Sequence, residues 1–176
     1  MTPSRPAAGR KPGPSSGRHA AAAGRKPAAD HAGAREGRRL AFGAIFEADF
    51  GHRTAKTVLE RRLEDEGASE EAAAFARSLV DAVMRHRDSI DAVIGETASA
   101  WPVVQLARID RALLRSGVGE LLHCPTPARV TISEWVGLAR TYSGEPARRL
   151  LNGVLGRVAD RDDTTVEGSI GDGFDV

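Results

Sequence analysis

The 176-residue chain has a single cysteine, Cys124. That excludes an intrachain disulfide and any cysteine-rich metal site, and a lone Cys here reads as a small buried hydrophobe rather than a nucleophile. Aromatics are scarce as well: five Phe, two Trp and one Tyr. No apolar run approaches the roughly 18–20 residues that a membrane span requires. Nor does an apolar segment follow the first arginines as it does in a signal peptide. Convincing period-two alternation is absent, which removes the sheet signal. Catalytic apparatus is not visible either. There is no GxxxxGK[ST], GxSxG or HExxH, and "GVG" at 117–119 follows a helical pattern and lacks the third glycine of a dinucleotide loop. The five histidines are scattered without metal-ligand spacing, and acidic runs such as Glu64-Asp65-Glu66 sit where helix ends carry solvated charge. The expectation is a soluble, cytoplasmic, non-enzymatic protein with no cofactor, no metal and no membrane partner. An organellar transit peptide is a minor alternative, since residues 1–29 are Arg-rich and acid-free.

What is present is charge, unevenly placed. Residues 1–39 hold nine Arg/Lys against two acids, residues 40–156 fourteen against sixteen, and residues 157–176 two against six. A basic head suggests a polyanionic partner, because Arg and Lys gain affinity by displacing counterions from phosphates. Residues 1–34 are Ala, Gly, Pro, Arg and Ser with almost no large apolar side chain, and such a segment cannot offset its chain entropy by burial. The predicted organisation is therefore a disordered basic extension (1–34), a helical domain (35–160) and an acidic Gly-rich tail (161–176).

Within the domain the apolar spacing is helical throughout. In "RRLAFGAIFEADF", Phe42, Phe46 and Phe50 form one stripe, and Leu40, Ala41, Ala44, Ile45 and Ala48 form another on the opposite side. A charged amphipathic helix is expected over 53–66, stopped at Gly67. Ser69 followed by Glu70 and Glu71 reads as an N-cap and acidic first turn. A short helix is expected from Asp88, and Trp101-Pro102 reads as a boundary. Gly117 and Gly119 in "LARIDRALLRSGVGELLHC" suggest close approach of another backbone. Thr131 to Glu134 has capping-box spacing. A turn at "YSGEP" precedes a last helix with Pro146 in its first turn. In "RRLLNGVLGRV" (148–158), Leu150, Leu151, Val154, Leu155 and Val158 make one stripe. Arg149, Asn152, Gly153 and Gly156 then lie on the opposite, polar side. Two glycines there forgo about 2 kcal/mol of helix propensity. A closely approaching partner explains this face, or else a close helix crossing or Asn152 capping a neighbouring loop does. The fold class is all-α.

Several of these segments, in order, resemble the NusB family of bacterial transcription antitermination factors over roughly residues 35–160. They are "REGRRLAFGAIF", "IDRALLRSGVGELL", "VTISEWVGLAR" and "RRLLNGVLGRV", with a Pro-containing turn between the second and third. The resemblance implies a compact bundle of about seven helices in two subbundles and no enzymatic activity. It implies binding of boxA RNA of ribosomal operons together with the ribosomal protein NusE, within an assembly of other Nus factors and RNA polymerase. Matched position by position, Arg35, Arg38 and Arg39 fall in the family's arginine-rich RNA-contacting motif, with Arg39 in place of a usual Glu. Tyr142, Arg148, Arg149 and Asn152 fall on its second RNA-facing segment. Phe46 and Asp110 match positions near the ribosomal-protein contact, an N-terminal helix-dipole role being the rival for Asp110. Arg115 and Glu120 match as structural residues. Leu150 stands where the family usually has Phe, Gly43 where it has Gln, and Trp135 where it has Ala. The first two departures support an alternative: a helical protein-binding adaptor with little specific RNA affinity. A third reading, the accessory helical module of an RNA methyltransferase, is disfavoured because 176 residues leave no room for a cofactor-binding sheet. A homodimer burying the Phe42/Phe46/Phe50 face is the remaining partner expectation.

Overall fold

The computed structural model describes residues 28–98 and 103–168, with side chains over 32–98 and 103–161. Regular structure among the described residues is entirely helical. The elements are α1 (Ala28–Ala48), α2 (Ala55–Asp65), α3 (Glu70–Arg85), α4 (Arg87–Thr97), a 3-10 turn (Val103–Gln105), α5 (Arg108–His123), α6 (Ala128–Tyr142) and α7 (Glu145–Gly168). Helices α1 to α3 pack on one another, α4 to α7 form a second group, and α5 joins the two by packing against α1 and α3. The expected two-subbundle architecture of about seven helices is what the chain adopts.

Local signals account for most of the boundaries. The Thr54 hydroxyl accepts from the Thr57 amide at 3.2 Å and the Ser69 hydroxyl from the Ala72 amide at 3.2 Å, so α2 and α3 start at side-chain caps. Gly67 (φ 61°) and Gly144 (φ 101°) take the left-handed conformation that ends a helix. Three boundaries differ from expectation. Helix α1 begins at Ala28, ahead of Arg35, and α7 continues to Gly168 into the acidic segment. Helix α6 starts at Ala128 rather than after Thr131. Pro127, with φ fixed near its helical value, precedes it, and the Thr131 amide donates to the Pro127 carbonyl. Thr131 is thus inside the helix, buried, and caps nothing. Residues 1–27 and the Trp101-Pro102 boundary lie outside the described residues.

The core runs through α5, where Ala112 to Leu121 are all buried, and is closed by Leu40, Ala44, Leu79, Trp135, Leu151 and Leu155. Burying such a Leu contributes about 1.5–3 kcal/mol. The small residues of α5 make room for side chains, not for a backbone. A Cβ on Gly119 would sit 2.5 Å from Val83 Cγ2, and one on Gly117 would meet Leu155 and Trp135 at 3.2 and 3.3 Å. Trp135 therefore fills core volume against Gly117. The true backbone approach is at Gly37, where a Cβ would be 2.7 Å from the Ala72 carbonyl as α1 crosses α3.

Candidate nucleic-acid interface

The polar edge of α1 meets α2 and α6. Arg35 is exposed and reaches α6, donating from Nε and Nη2 to the two carboxylate oxygens of Glu134, both at 3.0 Å. One turn on, Arg39 donates at 2.6 Å to Glu66, the C-cap of α2, and its charge interacts with Tyr142 at the end of α6. The Tyr142 ring in turn packs on Phe42, with centroids 5.0 Å apart. From there a ladder of rings continues along α1: Phe42 to Phe46 at 6.2 Å, stacked, and Phe46 to Phe50 at 5.4 Å, edge to face. Arg108, at the start of α5, caps the last ring, its guanidinium carbon 4.5 Å from the Phe50 centroid. The stripe grades from core to surface: Phe42 is buried, Phe46 half-buried, and Phe50 is 47% exposed.

Arg38 points the other way, which corrects its place among the RNA-contacting arginines. It is 3% exposed and forms a two-point pair with Glu120, Nε to Oε2 at 2.9 Å and Nη2 to Oε1 at 2.6 Å. Glu120 is fully buried and also accepts from Trp135 Nε1 at 2.7 Å. The Arg38 guanidinium lies over the Phe75 ring at 4.7 Å. A phosphate cannot reach it without opening the core. Its neighbours at i−3 and i+1, Arg35 and Arg39, keep the surface.

The second cationic group sits at the start of α7. Arg148 donates to both oxygens of Glu145 (2.8 and 2.7 Å), and Arg149, the more exposed of the two, donates to the same carboxylate at 3.3 Å. Hydrogen bonds from Arg148, then Arg149, hold the Glu145 carboxyl down at about 2. Asn152 is exposed one turn further along. An open pocket of about 440 Å³ adjoins this segment, lined by Leu106, Asp110, Pro146, Arg149 and Leu150 among others. Asp110 occupies the first turn of α5 and accepts a hydrogen bond from Ser143 Oγ at the α6–α7 turn. It therefore shares a pocket with Arg149 and Leu150.

The glycines of α7 are not placed for a helix crossing. A Cβ on Gly156 would meet nothing within 4 Å, and one on Gly153 only the Arg157 guanidinium of its own helix, at 3.7 Å. Gly43 does have a local reason: the Arg62 guanidinium lies across it, 3.1 Å from where a Cβ would be. The structure adds residues that the sequence did not single out. Glu145 was readable, because it stands at i−3 and i−4 from the two arginines it binds. Glu134, Glu66 and the Arg108–Phe50 stack are long-range pairings with no sequence signal. No group of three or more His, Cys, Asp or Glu suited to a metal is found among the described residues, and no helix there is long and apolar enough to cross a membrane. Cys124 is half-buried, and burial, then Glu120, pushes its thiol up to about 11.

A two-subbundle, all-helical domain with a ring-lined, arginine-bearing edge is the class these features define. Residues 35–160 match the sequence profile of the NusB family, and the chain belongs to that family. The transcription antitermination protein NusB of Dehalococcoides mccartyi (strain ATCC BAA-2266 / KCTC 15142 / 195) is 39% identical over 126 residues, 71% of this chain and 88% of that one. That of Chloroflexus aggregans is 41% identical over 127 residues, 70% of this chain and 85% of the relative. Among solved structures, T. maritima NusB superposes with a TM-score of 0.68 at 30% identity, over 72% of this chain and 90% of the other. A chain from the crystal structure of antitermination factors NusB and NusE in complex with dsRNA gives 0.66 at 26% identity, over 77% and 99%.

Proposed function

We propose that this protein is a cytoplasmic transcription antitermination factor with no catalytic step of its own. It binds boxA-type single-stranded RNA of ribosomal operons, together with the ribosomal protein NusE, and suppresses premature termination by RNA polymerase in concert with other Nus factors. The observation that carries this reading is the alignment of Arg35, Arg39 and Tyr142 on one edge, in a family whose relatives bear the antitermination name. Guanidinium groups there meet phosphates, an exposed Tyr offers a base a face to stack on, and Asn152 offers paired donor and acceptor to a base edge. Arg148 and Arg149 extend the cationic path onto α7, over a surface kept low by Gly153 and Gly156. Phe46 and Asp110 are assigned to the protein partner, which would cover the outer rings of the ladder.

The test is binding of boxA-like and scrambled RNA, with and without the partner, across a salt series. Preference for the boxA-like strand is expected, and equal affinity for both throughout would remove specific recognition. The adaptor reading is favoured by one observation, the loss of Arg38 to the core. Stable partner binding without measurable RNA affinity would establish it instead.

A further inference from the structure

Each surface arginine of the proposed RNA edge already holds a carboxylate of its own chain, and one carboxylate holds two. Arg35 is bound to Glu134, Arg39 to Glu66, and both Arg148 and Arg149 to Glu145. The Glu145 pairs are confined to the first turns of α7, at spacings of three and four residues. Exposed pairs of this kind are weak because solvent screens both charges, so a phosphate can displace the carboxylate, but each binding event must do so. A cation already neutralised by a neighbour also leaves the RNA with less net counterion release on binding.

We propose that Glu145 is an intramolecular competitor for RNA phosphate, limiting the affinity that Arg148 and Arg149 can supply; this rests on the RNA-binding reading above. The competitor is permanent rather than switched by acid, because its carboxyl is held at about 2 and stays charged across the physiological range. It leaves only by displacement. The device weakens binding to any isolated phosphate and favours a strand that engages α1 and α7 together, so the cost is met by several contacts at once.

The experiment uses the full chain with a fluorescent boxA-like single strand, titrated between about 50 and 200 mM salt. Wild type is compared with Glu145→Gln and with Glu96→Gln. The latter removes the same charge from an exposed pair with Arg161, toward the far end of α7. Expected is about threefold tighter binding for Glu145→Gln at the lowest salt. The slope of log K against log salt should steepen by about 0.7, the value for one further phosphate contact on a single strand. Glu96→Gln should match wild type. Equal affinity and slope for Glu145→Gln and wild type would overturn the proposal while leaving RNA binding in place. Weaker binding by Glu145→Gln would overturn it too, making Glu145 a residue that positions the arginines. A gain for Glu96→Gln as large as that for Glu145→Gln would reduce the effect to net charge. No binding by wild type at any salt would instead sink the RNA reading itself.

Discussion

Arg38 and Arg39 are neighbours in sequence with opposite fates, and the difference is one of direction around a helix. A step of about 100° per residue turns Arg39 to the α2 edge and Arg38 into the seam with α5. There its charge is answered by Glu120, whose second partner is the Trp135 indole. Removing one member of a buried pair leaves an uncompensated charge, which costs about 3–5 kcal/mol. Arg38→Ala is accordingly expected to lower the denaturant midpoint by an amount of that order. Its remaining folded fraction should bind RNA with an unaltered salt slope. Arg149→Ala should do the reverse: unchanged stability, weaker RNA binding and a slope reduced by about 0.7. A flatter slope for Arg38→Ala with native stability would return Arg38 to the phosphate contacts.

At the scale of the element, the two helices of the proposed interface carry glycines for different reasons. Gly37 lets α1 settle on the α3 backbone at a distance no side chain tolerates. Gly37→Ala should destabilise by about 1–3 kcal/mol through overpacking. Gly156 faces open space. Gly156→Ala should therefore stabilise α7 by about 1 kcal/mol of helix propensity, raising the melting temperature, while weakening RNA binding if the strand approaches there. Unchanged affinity in that variant would leave the glycine without a part in RNA contact. Helix existence was legible because the apolar period, the Ser69 cap and the Gly67 stop are local. Tertiary pairings were not: nothing in the spacing of Arg38, Glu120 and Trp135 joins them, since they lie on three helices. The capping-box spacing at Thr131 misled for a related reason, because the rigid Pro127 upstream had already started α6. The candidate site was legible as residue types on faces, and its internal carboxylates only where they lay within one helical turn.

The whole molecule is held together by charge as well as by its core, and this makes its stability depend on pH in two steps. Asp49, at the end of α1, accepts from Arg87 and Arg115 at 3.3 and 3.1 Å and also from Arg111; Arg115 in addition grips Asp91 at 2.7 Å. Helices α1, α4 and α5 meet at this node. Burial pushes the Asp49 carboxyl up, but the hydrogen bonds and charge of Arg111 and Arg115 outweigh it and hold it below the usual carboxylate range. A depressed acid contributes stability above its unfolded value, about 3.9, and loses it as pH falls through the folded value. A second seam joins the α3–α4 junction to the end of α5, where His86 and His123 stack with centroids 3.9 Å apart. Partial burial, then the charge of His86, lowers the His123 pKa. The unfolded chain takes up that proton first, so stability is lost as pH falls below about 6.5, the unfolded His value. Thermal melts should therefore show a shallow loss from pH 7.5 to 5.5 and a steeper one below about pH 4. His123→Gln should flatten the first and spare the second. If the slope between pH 7.5 and 5.5 survives that substitution, the imidazole stack is not its source.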